Sequence, residues 1–483
     1  MAKWAVYVTG TFSVLLLVVS IVLLVAHTFM NIVDVQVKQA TVLKNGTEVY
    51  EDWVSPPPPV YMQFYFFNVT NPEEVLTGEK PIVEEIGPYT YREYRPRENI
   101  DFHENGTEVS AVTTKTYVFE ADKSVGDPNV DLIRTVNVPV VTLLELSKDS
   151  TIIKKIVEAA LKAYKEGMFM THTVHELLWG YKDTILSLVH TVQPDISDTF
   201  GLFYKMNATD DGEYVFLSGK NNYLEFTQIM EWNGKKNLDW WTTESCNMIN
   251  GTDGTSFHPL LNKDDIIYMF SSDLCRSIYA VYESSETVKN IPVFRFSPPA
   301  NVFANASINP QNSGFCVPAG NCLPSGLLNV SSCKQGAPII LSSPHFYQAD
   351  KSVINSIKGI EPIKENHKTF LDLSPLTGTV IQAAKRLQVN VYVRKIDGYP
   401  ITENIQTLFF PVMHLNESVC IDDESAEKLR SILLQARVVA NIPFIIMGLG
   451  IILGIIFTIL TCRQSRQREP GTDDERSPLI RTS

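Results

Sequence analysis

The stretch His172-Thr173-Val174-His175-Glu176 carries the residue types that zinc chemistry uses. A zinc hydrolase needs His-Glu-x-x-His or His-x-x-Glu-His, so that imidazoles on adjacent turns reach one ion. The spacing here fits neither pattern, and no third ligand accompanies it. Gly254-Thr255-Ser256-Phe257-His258 ends in histidine where a nucleophile elbow needs a second glycine. Asp253, His258 and Asp273 read as turn residues. Carboxylates are plentiful, but a glycosidase needs a fixed pair whose separation a sequence does not define. No glycine-rich phosphate cradle occurs. The chain therefore reads as a non-enzyme, with no catalytic residue, metal or cofactor.

The tail carries a stronger signal. Glu475-Arg476-Ser477-Pro478-Leu479-Ile480 fits acidic-x-x-x-Leu-Leu/Ile, a dileucine-type sorting signal. Glu475 would pair with a basic patch on a cytosolic clathrin-adaptor complex, while Leu479 and Ile480 fill an apolar pocket. The signal has meaning only if this tail faces the cytosol, so the elements that place it come next.

Residues 438–462 contain no charged side chain, and 5–26 form a second such run. Hydrocarbon about 30 Å thick needs roughly 20 helical residues, so each run reads as a membrane span. Asn441 and Pro443 stand at the N-terminal end of the second run, where a missing backbone donor costs least. The first run exceeds the usual apolar core of a signal peptide, about 7–15 residues, and no small-x-small cleavage site follows it. It reads as an uncut anchor. Lys3 lies before the first span, and Arg463, Arg466 and Arg468 follow the second, on the side where positive charge collects. Arg430 and Arg437 blunt that asymmetry from the other side. Eight Asn-x-Ser/Thr acceptors fix the orientation instead: Asn45, Asn68, Asn105, Asn207, Asn250, Asn305, Asn329 and Asn416. The expected order is a cytosolic N-terminus (1–4), a span (5–26), a lumenal glycosylated ectodomain (27–437), a span (438–462) and a cytosolic sorting tail (463–483).

The net charge of −13 argues against nucleic acid as a partner. Seven cysteines, six of them between the spans, suit an oxidising compartment. Those six allow 15 pairings. Cys462 is either a palmitoylation site or an apolar span residue.

An amphipathic segment near Asn31 to Val42 and an extended run, Pro56 to Pro59, open the ectodomain. Strand patterns then dominate: Tyr61 to Val69, Pro88 to Tyr91, Thr116 to Glu120, Tyr214 to Leu217, Gln388 to Arg394 and Thr407 to Leu415. In Gln388 to Arg394, Val389, Val391 and Val393 share one face, and Asn390, Tyr392 and Arg394 share the other. Between Asp149 and His190 the period becomes helical. Ile152, Ile153, Ile156, Val157, Ala160, Leu161 and Tyr164 form an apolar stripe, with lysines opposite that read as a solvated face. A Thr173-x-x-Glu176 capping box opens a second helix, continued by Leu177, Leu178, Tyr181, Ile185, Leu188 and Val189.

Several runs resemble the class B scavenger receptors. They are Pro59 to Thr70 (PVYMQFYFFNVT), Gly87 to Arg92 (GPYTYR), Glu176 to Asp183 (ELLWGYKD) and Asp474 to Ile480 (DERSPLI), and the likeness covers nearly the whole chain. The resemblance implies an α+β membrane protein: an irregular antiparallel β-barrel ectodomain with an apical helical bundle, anchored by two terminal transmembrane helices. Residues 149–190 would form part of that bundle. The resemblance also implies an apolar tunnel for cholesterol or phospholipid. For the family's lysosomal member it implies cargo, β-glucocerebrosidase, which is bound early in the secretory route and released in acid. The implied residence is the lysosome membrane, reached through the endoplasmic reticulum and endosomes, with self-association into a homo-oligomer left open.

Residue by residue, the resemblance pairs Cys275 with Cys333 and Cys316 with Cys322. Cys246 matches a family cysteine whose partner precedes the counterpart of Cys316; Gly314 and Phe315 stand there, so Cys246 is either free or joined to Cys420. The cargo face would include Ile152, Ile153, Lys155 and Val157. The family's lysosomal member has a histidine at the start of the first apical helix; Asp149-Ser150-Thr151-Ile152-Ile153 has none. His172 and His175 are the nearest pH-switch candidates. A lipid-binding scavenger receptor or tunnel transporter is the alternative function.

Overall fold

The computed structural model describes residues 3–466. Glu475, Leu479 and Ile480 lie outside the described residues. The chain divides into two compact units, one of Ala40–Lys428 and one of the described parts of 1–39 and 429–483.

The larger unit is built on an 11-stranded antiparallel sheet. Its main path runs Ile266–Ser271, Arg276–Val288, Ile291–Ser297, Phe370–Leu373, Val380–Val393, Leu408–Cys420, Val60–Val69, Val83–Tyr94 and Thr116–Phe119. The aromatic run of Val60–Val69 is an interior strand, third from the Thr116–Phe119 edge, paired with Leu408–Cys420 on one side and Val83–Tyr94 on the other. Phe64, Phe66, Phe67 and Tyr89 from this centre are fully buried and anchor the main core. Burial along the strand alternates: Met62, Phe64 and Phe66 are buried, and Tyr61, Gln63 and Tyr65 on the other face are half-buried.

The expected barrel is not closed. Among the described residues, Ile266–Ser271 and Thr116–Phe119 end the ladder without pairing to each other. Closure needs the two edges to meet in a matching stagger. The Thr116–Phe119 edge is short, and Lys115 beside it bridges Thr209 instead. Irregularities in register fall between Phe64 and Phe66, Tyr282 and Ser284, and Val389 and Asn390, and each bends its strand. The last one also disturbs the expected alternation. Val391 and Val393 are buried, but so are Gln388 and Asn390, while Val389 is only half-buried. Gln388 Nε2 donates to Asn390 Oδ1 (2.7 Å), and Asn390 donates to Ile340 O and Ser342 Oγ (3.0 Å each), so these buried amides are satisfied. A separate four-stranded sheet joins Ile229–Trp232, Glu213–Leu217, Glu108–Thr113 and Arg97–His103.

In the smaller unit, Lys3–Val25 and the apolar part of Asp423–Arg466 are long and apolar enough to cross a membrane. Thr28–Ala40 continues as a further helix. The second long helix begins well before residue 438, so Pro443 lies inside it and not at its start. Proline there removes one i to i−4 bond, and the helix carries on. Ser13 Oγ donates to Gly450 O (2.8 Å), and Gly10 leaves room for the Phe457 ring. Small residues of this kind let two apolar helices approach closely.

Candidate functional site

The helical insertion is assembled from short, individually capped pieces. Asn137 accepts from Val140 N (3.1 Å) and starts Val138–Ser147, with Pro139 in its first turn. The sequence reading missed this helix because its apolar residues do not alternate with polar ones. Asn followed within two residues by Pro is the signal that could have found it. Ser150 accepts from Ile153 N (3.3 Å) and opens Thr151–Tyr164, which ends at Lys165 in the left-handed region. The Thr173–Glu176 capping box is present: Thr173 N donates to Glu176 Oε2 (3.0 Å), and Glu176 N to Thr173 Oγ1 (3.2 Å). The helix it opens is only Val174–Trp179, not a run to Val189. Gly180 (φ 118°) breaks it, because its backbone turns to let Tyr181–Lys182 pair with Thr199–Phe200. Asp183 then caps a separate helix, Thr184–Val192.

The expected cargo face divides. Ile152 is 75% exposed, Ile153 48% and Ile156 60%, and Lys155 is exposed beside them. Val157 is 5% exposed. With Leu161, one turn on, it faces the core and holds the helix, so it cannot dock a partner. His172 is on a strand, Phe169–Thr173, stacked on Tyr181 (3.7 Å between centroids), with Nδ1 3.2 Å from Glu176 Oε2. His175 is exposed. The two are not brought together.

A different histidine cluster lies against the main sheet. His345 Nε2 is 2.5 Å from Glu85 Oε2, and His414 Nε2 is 2.8 Å from the same oxygen. His367 stacks on His345 with centroids 4.4 Å apart. All three histidines are buried. Glu85, on Val83–Tyr94, and His414, on Leu408–Cys420, come from separate strands; Phe67 and Tyr65, on Val60–Val69, pack against the rings. From Val380–Val393, Gln388 accepts from His345 N, and Arg386 donates to the carbonyls of Glu365 and Lys368. Sequence reasoning missed the cluster because its members lie in four distant segments.

Glu85, His345 and His414 have the composition of a metal site, with their ligand atoms within 4.8 Å of one another. The hydrogen bonds do not fit one. Glu361 N donates to His345 Nδ1 (3.0 Å), so that nitrogen is a bare acceptor and the ring proton sits on Nε2. A ligating histidine needs the reverse, Nε2 bare and Nδ1 donating. Nε2–H instead donates to Glu85. His367 shows the same arrangement, with Ile363 N donating to its Nδ1 (2.9 Å). Both rings therefore present Nδ1 as an acceptor to the 361–363 backbone. Burial works against the Glu85 carboxylate, yet the histidine hydrogen bonds outweigh it and hold its pKa well below the usual range. Burial, then the neighbouring His345 and His414, push His367 down to about 4. Burial likewise lowers His414, against the pull of Glu85, and its Nδ1 is buried without a partner.

Other expected residues fall as follows. The disulfides join Cys275 to Cys333 and Cys316 to Cys322. Cys246 is buried and free, and Cys420 is exposed and free. Asp253 and Asp273 are not simple turn residues: Asp253 pairs with the buried Arg97, and Asp273 with Lys385 (2.8 Å). Asn45, Asn105 and Asn207 are exposed. Asn68, Asn250, Asn305, Asn329 and Asn416 are half-buried; Nδ2 of Asn305, Asn329 and Asn416 donates to Leu323 O, Val317 O and Gln63 Oε1. A cavity of about 520 Å³ opens beside Trp179, with Tyr91, Tyr117, Phe203 and Tyr204 among its walls.

An open antiparallel sheet with a helical insertion, in a chain with an apolar helix near each end long enough to cross a membrane, fits a two-span membrane protein. The CD36 family model matches residues 11–461, and the chain belongs to that family. It is similar to Lysosome membrane protein 2 of Rattus norvegicus, at 57% identity over 482 residues and 100% of both chains. The same protein of Homo sapiens is 56% identical over 482 residues, again 100% of each. Scavenger receptor class B member 1 of Cricetulus griseus is 33% identical over 473 residues, 97% of this chain and 91% of that one. The resemblance read from the sequence to the class B scavenger receptors is met by relatives of that name.

Proposed function

We propose that this chain is a sorting receptor of the lysosome membrane, both termini cytosolic, which carries β-glucocerebrosidase from the early secretory pathway and releases it in acid. The observation that carries this reading is the aliphatic face of Thr151–Tyr164. Ile152, Ile153 and Ile156 stand out into solvent in a row, with Lys155 beside them. A soluble surface rarely keeps adjacent aliphatic side chains exposed without a partner for them. The helices around Thr151–Tyr164 would form the apical bundle of a barrel-like ectodomain, and Glu475, Leu479 and Ile480 would route the complex through clathrin adaptors.

Pull-down of β-glucocerebrosidase by the full chain at pH 7 and pH 5 tests the reading. Capture at pH 7 and loss at pH 5 is expected. Equal capture at both values removes the release step, and none at either removes the receptor. Leu479→Ala with Ile480→Ala should strand the protein outside lysosomes, seen by co-localisation with a lysosomal marker.

The second reading, a scavenger receptor or tunnel transporter for cholesterol or phospholipid, draws on the similarity to Scavenger receptor class B member 1. Lipid mass spectrometry on the purified chain tests it, and lipid-free protein counts against it.

A further inference from the structure

The cavity beside Trp179 has an unusual wall for a surface pocket. Tyr91, Tyr117, Phe119, Trp179, Phe203 and Tyr204 line it. Aromatic faces present a negative quadrupole, and they attract the weakly positive C–H edges of a partner ring. Sugar rings offer such an edge on one face and hydroxyls on the other. The same cavity is lined by Asn207, which begins the acceptor Asn207-Ala208-Thr209.

That acceptor is held in place by its neighbours. Tyr117 N donates to Asn207 Oδ1 (2.9 Å). The side-chain amide is thereby fixed by its oxygen, and Nδ2, the atom that would carry a glycan, takes no hydrogen bond among the described residues. Ala208 N donates to Lys115 O (2.8 Å), and Lys115 N to Thr209 O (2.9 Å), so the backbone on both sides is tied to the strand edge. Asn207 is itself exposed. At Asn305, Asn329 and Asn416, by contrast, Nδ2 is already used within the fold.

We propose that the aromatic cavity is the seat of this chain's own glycan: the first N-acetylglucosamine on Asn207 folds back over Trp179 and Tyr204 and roofs the pocket. The occupant is fixed by attachment, so no diffusing ligand is needed, and the order of the sheet edge at Thr116–Phe119 comes to depend partly on a sugar. The inference needs only a lumenal ectodomain and stands apart from the choice of cargo.

The test uses the full-length glycoprotein in detergent, digested under native conditions with a peptide N-glycosidase. Release is read site by site from the conversion of Asn to Asp by mass spectrometry. Release at Asn207 should be about tenfold slower than at Asn45 or Asn105, the effect of one good ring contact. After denaturation all three should be released alike. Tyr204→Ala, which removes one stacking face at the cavity rim, should bring Asn207 close to the other two. The proposal is overturned if Asn207 carries no glycan, if its glycan leaves as fast as that of Asn45, or if protection persists in Tyr204→Ala.

Discussion

Lowering the pH from 7 to 5 should loosen the segment around residues 359–368, and His367 is the main reason. Folded, its pKa is held near 4; when the segment opens, it returns to the ordinary 6.5. Such a group gives its full stabilisation above 6.5. It loses that stabilisation as pH falls towards 4, because the open form takes up a proton that the closed form refuses. Between pH 7 and pH 5 the loss is about 1.8 kcal/mol, roughly twentyfold in the opening equilibrium. Arg386 and the Lys364 and Lys368 pairs with Glu283 hold the segment from the other side. Hydrogen exchange of the 359–368 amides, corrected for intrinsic rates, measures the opening at both pH values. In His367→Gln, whose amide oxygen can still accept from Ile363 N, most of the pH dependence should vanish. An equal pH dependence in the wild type and the variant would refute the assignment.

Ile156→Asp should weaken cargo binding at least tenfold in surface plasmon resonance and leave thermal stability unchanged. Val157→Ala, one residue on and buried, should do the opposite, costing about 2 kcal/mol of stability by denaturant titration. Thr173→Ala removes one half of the capping box and should cost about 1 kcal/mol in the same assay. Opening the Cys275–Cys333 disulfide, which closes a separation of 58 residues, should cost about 4 kcal/mol; the Cys316–Cys322 disulfide, across 6, should cost about 2.

What could be read from the sequence was local. The Val60–Val69 strand announces itself by composition, and the Thr173 capping box by spacing, because each depends only on near neighbours. The end of that second helix was not legible. Leu177 through Val189 keeps a helical stripe across Gly180, and only the pairing of Tyr181 with Phe200 shows why the helix stops. Val157 fits the stripe as well as Ile156 does; which one faces solvent depends on the packing of the Val138–Ser147 and Thr184–Val192 helices against it. The histidine cluster was invisible for the same reason. Glu85 and His414 lie on the two strands that flank Val60–Val69, and His345 and His367 come from short helical turns packed against them, so the four meet only in the folded chain.

The place of the Val60–Val69 strand in that sheet also governs how the protein is made. Its neighbour Leu408–Cys420 is synthesised after on the order of 340 further residues. At translation rates of about 5–20 residues per second, that is a delay of tens of seconds. Throughout it, the most aromatic strand of the chain waits inside the secretory compartment with one edge unpaired. That pairing forms only once the chain has been made almost as far as the apolar run that begins at residue 438. A chain cut short before Leu408 therefore lacks more than its last span: one edge of Val60–Val69 has no strand to pair with.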